Sequence, residues 1–479
     1  MRLSTIYSEL KNKNYQKSST DYKLRLIKTL VENIIAEPIS VAQIFGSPML
    51  DDLCQEIGAI NVEKIKNNID HAEAVEANLK TIVYVVSRLY LSGGHTAALA
   101  DMIRLSPAAR YIILVTGVGG PTDHKVIGSR FGSIEHLTFE FAPRGDYGNK
   151  LDWLQSRLFT LQPSEVWLFN HHQDSVAVAA VQPEQGYKLH FYHHGDHHLC
   201  LGVFLKYANH VDMNITGFHH CREALNITNN IYLPLVVKDQ GCRPNLNCRS
   251  TERLITATAA GFNKLEAAYA IRYADVVPYL LKASGGKHIH MGPLSWVARY
   301  KIYHGMRQLG LPASAFVYLP YVASVWQALH DYKVDLYVTS FPYGGARTLI
   351  EVMGSGTPVV MHQHHTSRLL GTFDMVYEHA LTWKEPKELY DIVATINASM
   401  LAEHAQRARQ RYEQFHSEEL LRRVLNAEVN LEQPTLREGY GSDPLQRAVD
   451  VCQQVSMLGV VKRWATLMFY KLKSYRDNH

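Results

Sequence analysis

Apolar and polar positions divide this chain into three textures. From residue 1 to about 76 the spacing is helical: in YKLRLIKTLVENII, Leu24, Leu26, Ile27, Leu30, Ile34 and Ile35 fall near one face. From Thr81 the pattern changes to short apolar runs that end in Gly, His or Asp and are followed by amphipathic helices. This alternation predicts βα repeats on a parallel sheet. The predicted strands are Ile82 to Val86, Tyr111 to Thr116, Val166 to Phe169, Leu189 to Tyr192, Val211 to Ile215 and Ile231 to Leu233. The polar, aperiodic segment 238 to 252, KDQGCRPNLNCRSTE, reads as a linker. Strands then resume at Leu254 to Ala259, His288 to Met291, Ala315 to Leu319, Leu336 to Thr339 and Val359 to Met361, and the last 80 or so residues return to helical spacing. The expected domains are a helical extension (1–76), two Rossmann-like domains (77–240 and 253–400) and C-terminal helices (401–479). No internal repeat or low-complexity tract interrupts them.

The richest stretch is VDLYVTSFPYGGARTLIEVMGSGTPVVMHQ. An apolar strand is broken by Pro342, Gly344 and Gly345, a helix begins near Arg347, and Gly356 and Pro358 end it before a second strand. Backbone N–H groups at that helix start, with the Thr348 hydroxyl and the Arg347 charge, suit an anion. Histidine is the unusual component: ten of the 25 lie between 171 and 220, mostly where strands end. Open parallel sheets bind ligands beyond the carboxyl ends of their strands. The candidate loops are therefore SGGHT (Gly93, Gly94, His95), NHHQD (His171, His172, Asp174), HHGDHH (His193, His194, Asp196), HIHMGP (His290, Gly292) and the HQHH that starts at His362. His95, His194 and Asp196 are candidate general bases, since an imidazole or carboxylate can take a hydroxyl proton near neutral pH. HHGDHH could also offer metal ligands, but the sequence has neither HExxH nor a CxxC pair, so no metal is expected.

The Gly344–Gly345 segment resembles the donor-binding corner of GT-B glycosyltransferases, nearest in pattern to the O-linked N-acetylglucosamine transferase and adhesin glucosyltransferase group. That resemblance implies two Rossmann-like domains facing across a cleft, with the C-terminal helices packing back on the first domain. By position, Gly344, Gly345 and Thr348 meet the diphosphate and Glu351 the ribose. Lys264, beside Asn263 in the loop after the first strand of the second half, supplies charge to the leaving group. Leu319 or Tyr321 would border the base. Tyr343 stands where retaining members carry a Glu, which favours inversion. The implied activity is transfer of a sugar from a nucleoside diphosphate sugar, UDP-linked by this reading, to a glycan, lipid-linked or protein acceptor, as in bacterial surface polysaccharide synthesis or protein glycosylation. No cofactor is implied beyond that co-substrate. A sugar-nucleotide 2-epimerase and a non-catalytic binding subunit of the same fold are the alternatives.

Composition narrows the setting. A formal charge of +4 argues against a nucleic-acid partner, and no apolar run approaches the roughly 20 residues of a membrane span. A cytoplasmic protein with free thiols is expected. The basic, aromatic segment 460–479 is suited either to packing or to peripheral contact with the inner face of the membrane.

Overall fold

The computed structural model describes residues 3–37, 40–66, 79–91, 94–195, 197–242 and 253–443, with scattered positions between 445 and 468. Gly93, Asp196, most of the expected linker and nearly all of 460–479 lie outside the described residues. The chain forms two units: residues 1–233 with 425–431 and 461–479, and residues 234–424 with 432–460.

The first unit holds a seven-stranded sheet in which every pairing is parallel: β1 (Thr81–Val86), β2 (Arg110–Val115), β3 (Leu137–Phe141), β4 (Glu165–Phe169), β5 (Lys188–His193), β6 (Asn209–Asp212) and β7 (Ile231–Tyr232), in the order β3-β2-β1-β4-β5-β6-β7. Val83, Val85, Ile112, Leu114, Val166 and Leu168 are fully or nearly fully buried, as strands covered on both faces should be. The N-terminal helices are part of this core, not an extension outside it. Leu24, Ile27, Leu30 and Val31 of the helix Thr20–Ile35 join the strands in one apolar cluster. The Ser175 hydroxyl donates to the Leu24 carbonyl, and both Asp51 carboxylate oxygens accept backbone N–H groups, from Gly202 and Phe204. An amphipathic helix gains most by burying its stripe, and the sheet face offers the surface for it.

The second unit repeats the plan with β8 (Ile255–Ala259), β9 (Lys287–Met291), β10 (Phe316–Leu319), β11 (Leu336–Val338), β12 (Val359–His362) and β13 (Leu381–Trp383), all parallel, in the order β10-β9-β8-β11-β12-β13. The helix Ala398–Phe415, expected to leave this domain near residue 401, stays with it. Tyr412 stacks edge-on to Trp326, its hydroxyl donates to the Val237 carbonyl, and Arg409 pairs with Asp239. The sequence reading missed only β3 and β13. Both are edge strands, where one-sided burial and short length weaken the apolar run. Among the described residues no helix is long and apolar enough to cross a membrane, and no disulfide forms.

Candidate active site

Each sheet has one place where successive connections run off in opposite directions, between β1 and β4 in the first unit and between β8 and β11 in the second. The loops beyond the strand ends spread apart there and leave room for a ligand.

In the second unit this point brings together residues 80 positions apart. The Lys264 ammonium, in the loop after β8, donates to the Gly344 carbonyl at 2.7 Å in the loop after β11. Gly345 is the N-cap of the helix Ala346–Gly354 and supplies no side-chain acceptor, so the first-turn N–H groups keep no intrahelical partner. A methyl group placed on Gly345 would sit 3.4 Å from Lys264 Nζ and 3.5 Å from Thr348 Oγ1. An ammonium, a hydroxyl and a helix start thus converge beside Gly345, where a methyl group would stand in van der Waals contact with the first two. Burial pushes the Lys264 ammonium down to about 8, and no carboxylate among the described residues pairs with it. Gly344 is held from behind by a contact the sequence did not signal. Its N–H donates to the Leu370 carbonyl at 2.7 Å, and a Cβ on it would lie 2.5 Å from Thr372 Oγ1.

The other expected donor residues divide. Asn263 is exposed beside Lys264. Arg347 donates to the Val236 carbonyl at 3.0 Å. Glu351 Oε2 accepts the N–H groups of Val325 and Trp326 at 3.0 and 3.1 Å, capping the helix Val325–Asp331, and burial raises its carboxyl. Tyr321 is 77% exposed. His290 and His362 do not line a surface, being 0% and 2% exposed. His290 Nδ1 lies 2.9 Å from the Tyr273 hydroxyl, and His362 bridges the Tyr269 hydroxyl and the Trp383 carbonyl. These residues belong to the strands rather than to the loops past them, so their rings turn into the layers that cover the sheet.

In the first unit the loops after β1, β4 and β5, adjacent strands, gather three histidines from distant parts of the chain. His95 and His194 have ring centres 4.1 Å apart, His95 and His171 4.7 Å, and His171 and His194 5.5 Å. His172 stands 5.6 Å from His194. His95 begins the helix Gly94–Leu105 and its Nε2 lies 3.0 Å from the Phe169 carbonyl, while the Nδ1 atoms of His95 and His194 meet no partner among the described residues. Burial lowers His95 to about 4, and burial followed by repulsion from the neighbouring rings holds His194 and His172 well below the ordinary value. At neutral pH these rings are uncharged, so they can accept a proton but do not attract a phosphate by charge. Asp174 is fully buried and caps the helix Ser175–Ala180, which gives it a structural role. His193, expected beside them, is 1% exposed and points away into a separate group with His210, Asp212 and Cys221.

No family model matches the sequence, and no curated protein sequence matches it. Solved structures do. Anabaena Alr3699/HepE in complex with UDP and glucose superposes with a TM-score of 0.52 at 13% identity, over 73% of this chain and 99% of that one. The lipopolysaccharide outer core galactosyltransferase WaaB superposes with a TM-score of 0.53 at 14% identity, over 73% of this chain and 100% of that one. The fold is the two-domain α/β fold of GT-B glycosyltransferases, as the sequence implied.

Proposed function

We propose that this protein is a glycosyltransferase that moves a sugar from a nucleoside diphosphate sugar, UDP-linked, to an acceptor hydroxyl on a glycan, lipid-linked or protein substrate. The observation that carries the reading is the meeting of Lys264, Thr348 and the uncapped helix start at Gly345, in a fold shared with a UDP-binding protein. In this reaction the bond between the anomeric carbon and the diphosphate oxygen breaks and its electron pair stays with the diphosphate. Charge therefore grows where Lys264 and the helix N–H groups point. Glu351 would take the ribose hydroxyls through the carboxylate whose Oε2 also caps a helix. His95 is the proposed base: a neutral imidazole with an uncommitted Nδ1 takes the acceptor proton as the acceptor oxygen attacks, giving inversion. Lys264 and the helix start supply the electrostatic stabilisation, so the chemical step runs without a divalent cation.

A panel of UDP-, GDP-, dTDP- and CMP-sugars tests the proposal by thermal shift, followed by hydrolysis and transfer assays. A UDP-sugar should raise the melting temperature and be turned over at the same rate with or without added magnesium or manganese. If no sugar nucleotide binds the folded chain, the proposal fails.

A further inference from the structure

At the carboxyl ends of β5 and β6 in the first unit lies a group that the proposed transfer reaction does not use. Parallel pairing places His193, the last residue of β5, beside Asp212, the last residue of β6. His210, two residues earlier on β6, shares the face of Asp212, since alternate residues of a strand point the same way. Cys221 comes from the helix Ile215–Glu223 that follows β6. The four side chains are 1%, 3%, 1% and 1% exposed for His193, His210, Asp212 and Cys221.

Their distances are informative. Asp212 Oδ1 lies 3.3 Å from His193 Nδ1, 3.2 Å from His210 Nε2 and 3.3 Å from Cys221 Sγ. His193 Nδ1 is also 3.3 Å from His210 Nε2 and 3.4 Å from Cys221 Sγ. Hydrogen bonding accounts for part of this: three donors can converge on one carboxylate oxygen. It leaves the His193–His210 and His193–Cys221 contacts as donors facing donors. Four ligands at zinc–nitrogen, zinc–oxygen and zinc–sulfur bond lengths around a tetrahedral centre have edges of about 3.3–3.6 Å, close to all five distances.

One further contact supports a cation at the centre. Asp212 Oδ2 is committed to Asn230 Nδ2 at 2.7 Å, and Asn230 is itself held by the Phe218 carbonyl and Arg222, so Oδ1 is turned to the cluster by a fixed outer contact. The outer ring nitrogens, His193 Nε2 and His210 Nδ1, meet no partner among the described residues, and Phe191 packs against both rings, with ring centres at 5.7 and 5.3 Å. A thiolate, a carboxylate and two neutral imidazoles carry two negative charges, which a divalent ion cancels. Binding the ion releases the Cys221 proton and leaves the buried group neutral.

We propose that His193, His210, Asp212 and Cys221 bind one zinc ion in a closed, structural site that fastens the β5–β6 corner and the following helix. Mixed nitrogen, oxygen and sulfur donors in tetrahedral array suit zinc, and four protein ligands leave no position for water or substrate. The absence of a CxxC or HExxH motif does not oppose this, because the ligands are spaced 17, 2 and 9 residues apart and are assembled by strand register.

Elemental analysis of the full chain, purified under reducing conditions without chelator, should give close to one zinc per chain. His210→Ala and Asp212→Asn should reduce that to below about a tenth. His95→Ala should leave the metal content unchanged, which separates this site from the His95, His171 and His194 group. Chelated protein should melt at a lower temperature, restored by zinc and not by magnesium. Because a ligand variant could fail to fold, cobalt(II) substitution in the unmutated chain is the second measure. It should show tetrahedral ligand-field bands and a thiolate charge-transfer band that Cys221→Ser removes. A natively folded chain that contains under about a tenth of an equivalent of zinc and gives no cobalt spectrum overturns the proposal. A charge-transfer band that persists in folded Cys221→Ser overturns it too.

Discussion

Lys264→Met gives the sharpest test of the proposed donor site, because it should weaken binding without weakening the fold. In the free chain the ammonium makes one hydrogen bond, to the Gly344 carbonyl, and is pushed from its ordinary 10.5 down to about 8 by burial. That shift corresponds to at most about 3–4 kcal/mol held against the charged form, and to less because the side chain keeps some contact with solvent. Losing the bond to Gly344 costs roughly 1–3 kcal/mol. The two effects oppose each other, so Lys264→Met should melt within a few degrees of the parent. A diphosphate, by contrast, loses a charge-assisted hydrogen bond worth about 1.5–3 kcal/mol, which weakens its Kd roughly 10- to 150-fold.

The pH dependence has a definite sign. Between about pH 8 and 10.5 the free protein's Lys264 is largely neutral, whereas the unfolded chain holds the proton there, so stability rises with pH across that window. A bound diphosphate, fully ionised above pH 8, draws the proton back. Titration calorimetry with UDP at pH 9 in buffers of different ionisation enthalpy should therefore show net proton uptake by the wild type and none by Lys264→Met. Wild-type affinity should fall from pH 7 to 9.5 while that of the variant stays flat. If Lys264→Met loses many degrees of stability yet keeps its affinity, the lysine only braces the Gly344 loop, and the reasoning is refuted.

The two neighbouring glycines should separate in the same assays. Gly345→Ala fills the anion space and should cost at least tenfold in nucleotide affinity with little change in melting temperature, whereas Gly344→Ala meets Thr372 Oγ1 and should lower both. Glu351→Ala leaves the Val325 and Trp326 N–H groups without their acceptor, costing about 1–3 kcal/mol of stability, while Glu351→Gln keeps an acceptor for the cap; sugar-nucleotide titration and melting curves of the pair show whether affinity falls without stability. His95→Ala should leave donor affinity intact and lower kcat by about 10²- to 10⁴-fold. With His95 held near 4, the wild-type rate should lose its dependence on this group above about pH 5, and a rate governed by a titration near 6.5 would point to another base.

The proposed donor site was legible as a position in the fold because its residues sit in loops, where glycine and proline punctuate the pattern. Gly344, Gly345, Thr348 and Lys264 lie in the segments that follow β11 and β8, and the structure adds the bond between Lys264 and Gly344. The histidines were harder to read. A reading one residue wrong in where a strand stops changes whether a ring faces a ligand or the core, as at His193 and His362, whereas His290 lies inside a strand whose end was read as it is and its ring turns into the covering layer. Whether Glu351 is committed to another helix could not be inferred either, since the start of that helix lies 26 residues upstream. The His193–Cys221 group was invisible for a related reason: strand register, not a motif, brings its members together.

The Lys264–Gly344 bond also says when this site can exist. It closes an 80-residue span and joins the end of β8 to a loop that follows β11, strands that pair directly although β9 and β10 lie between them in the chain. Such non-local closures carry a large entropic cost and are typically slow to form. Ligand capacity should therefore arrive as the central pair of this sheet zips together, lagging the helices and local turns. During refolding, nucleotide binding would act as a clock for the completion of the second unit, and a partly folded chain would hold most of its secondary structure while binding nothing.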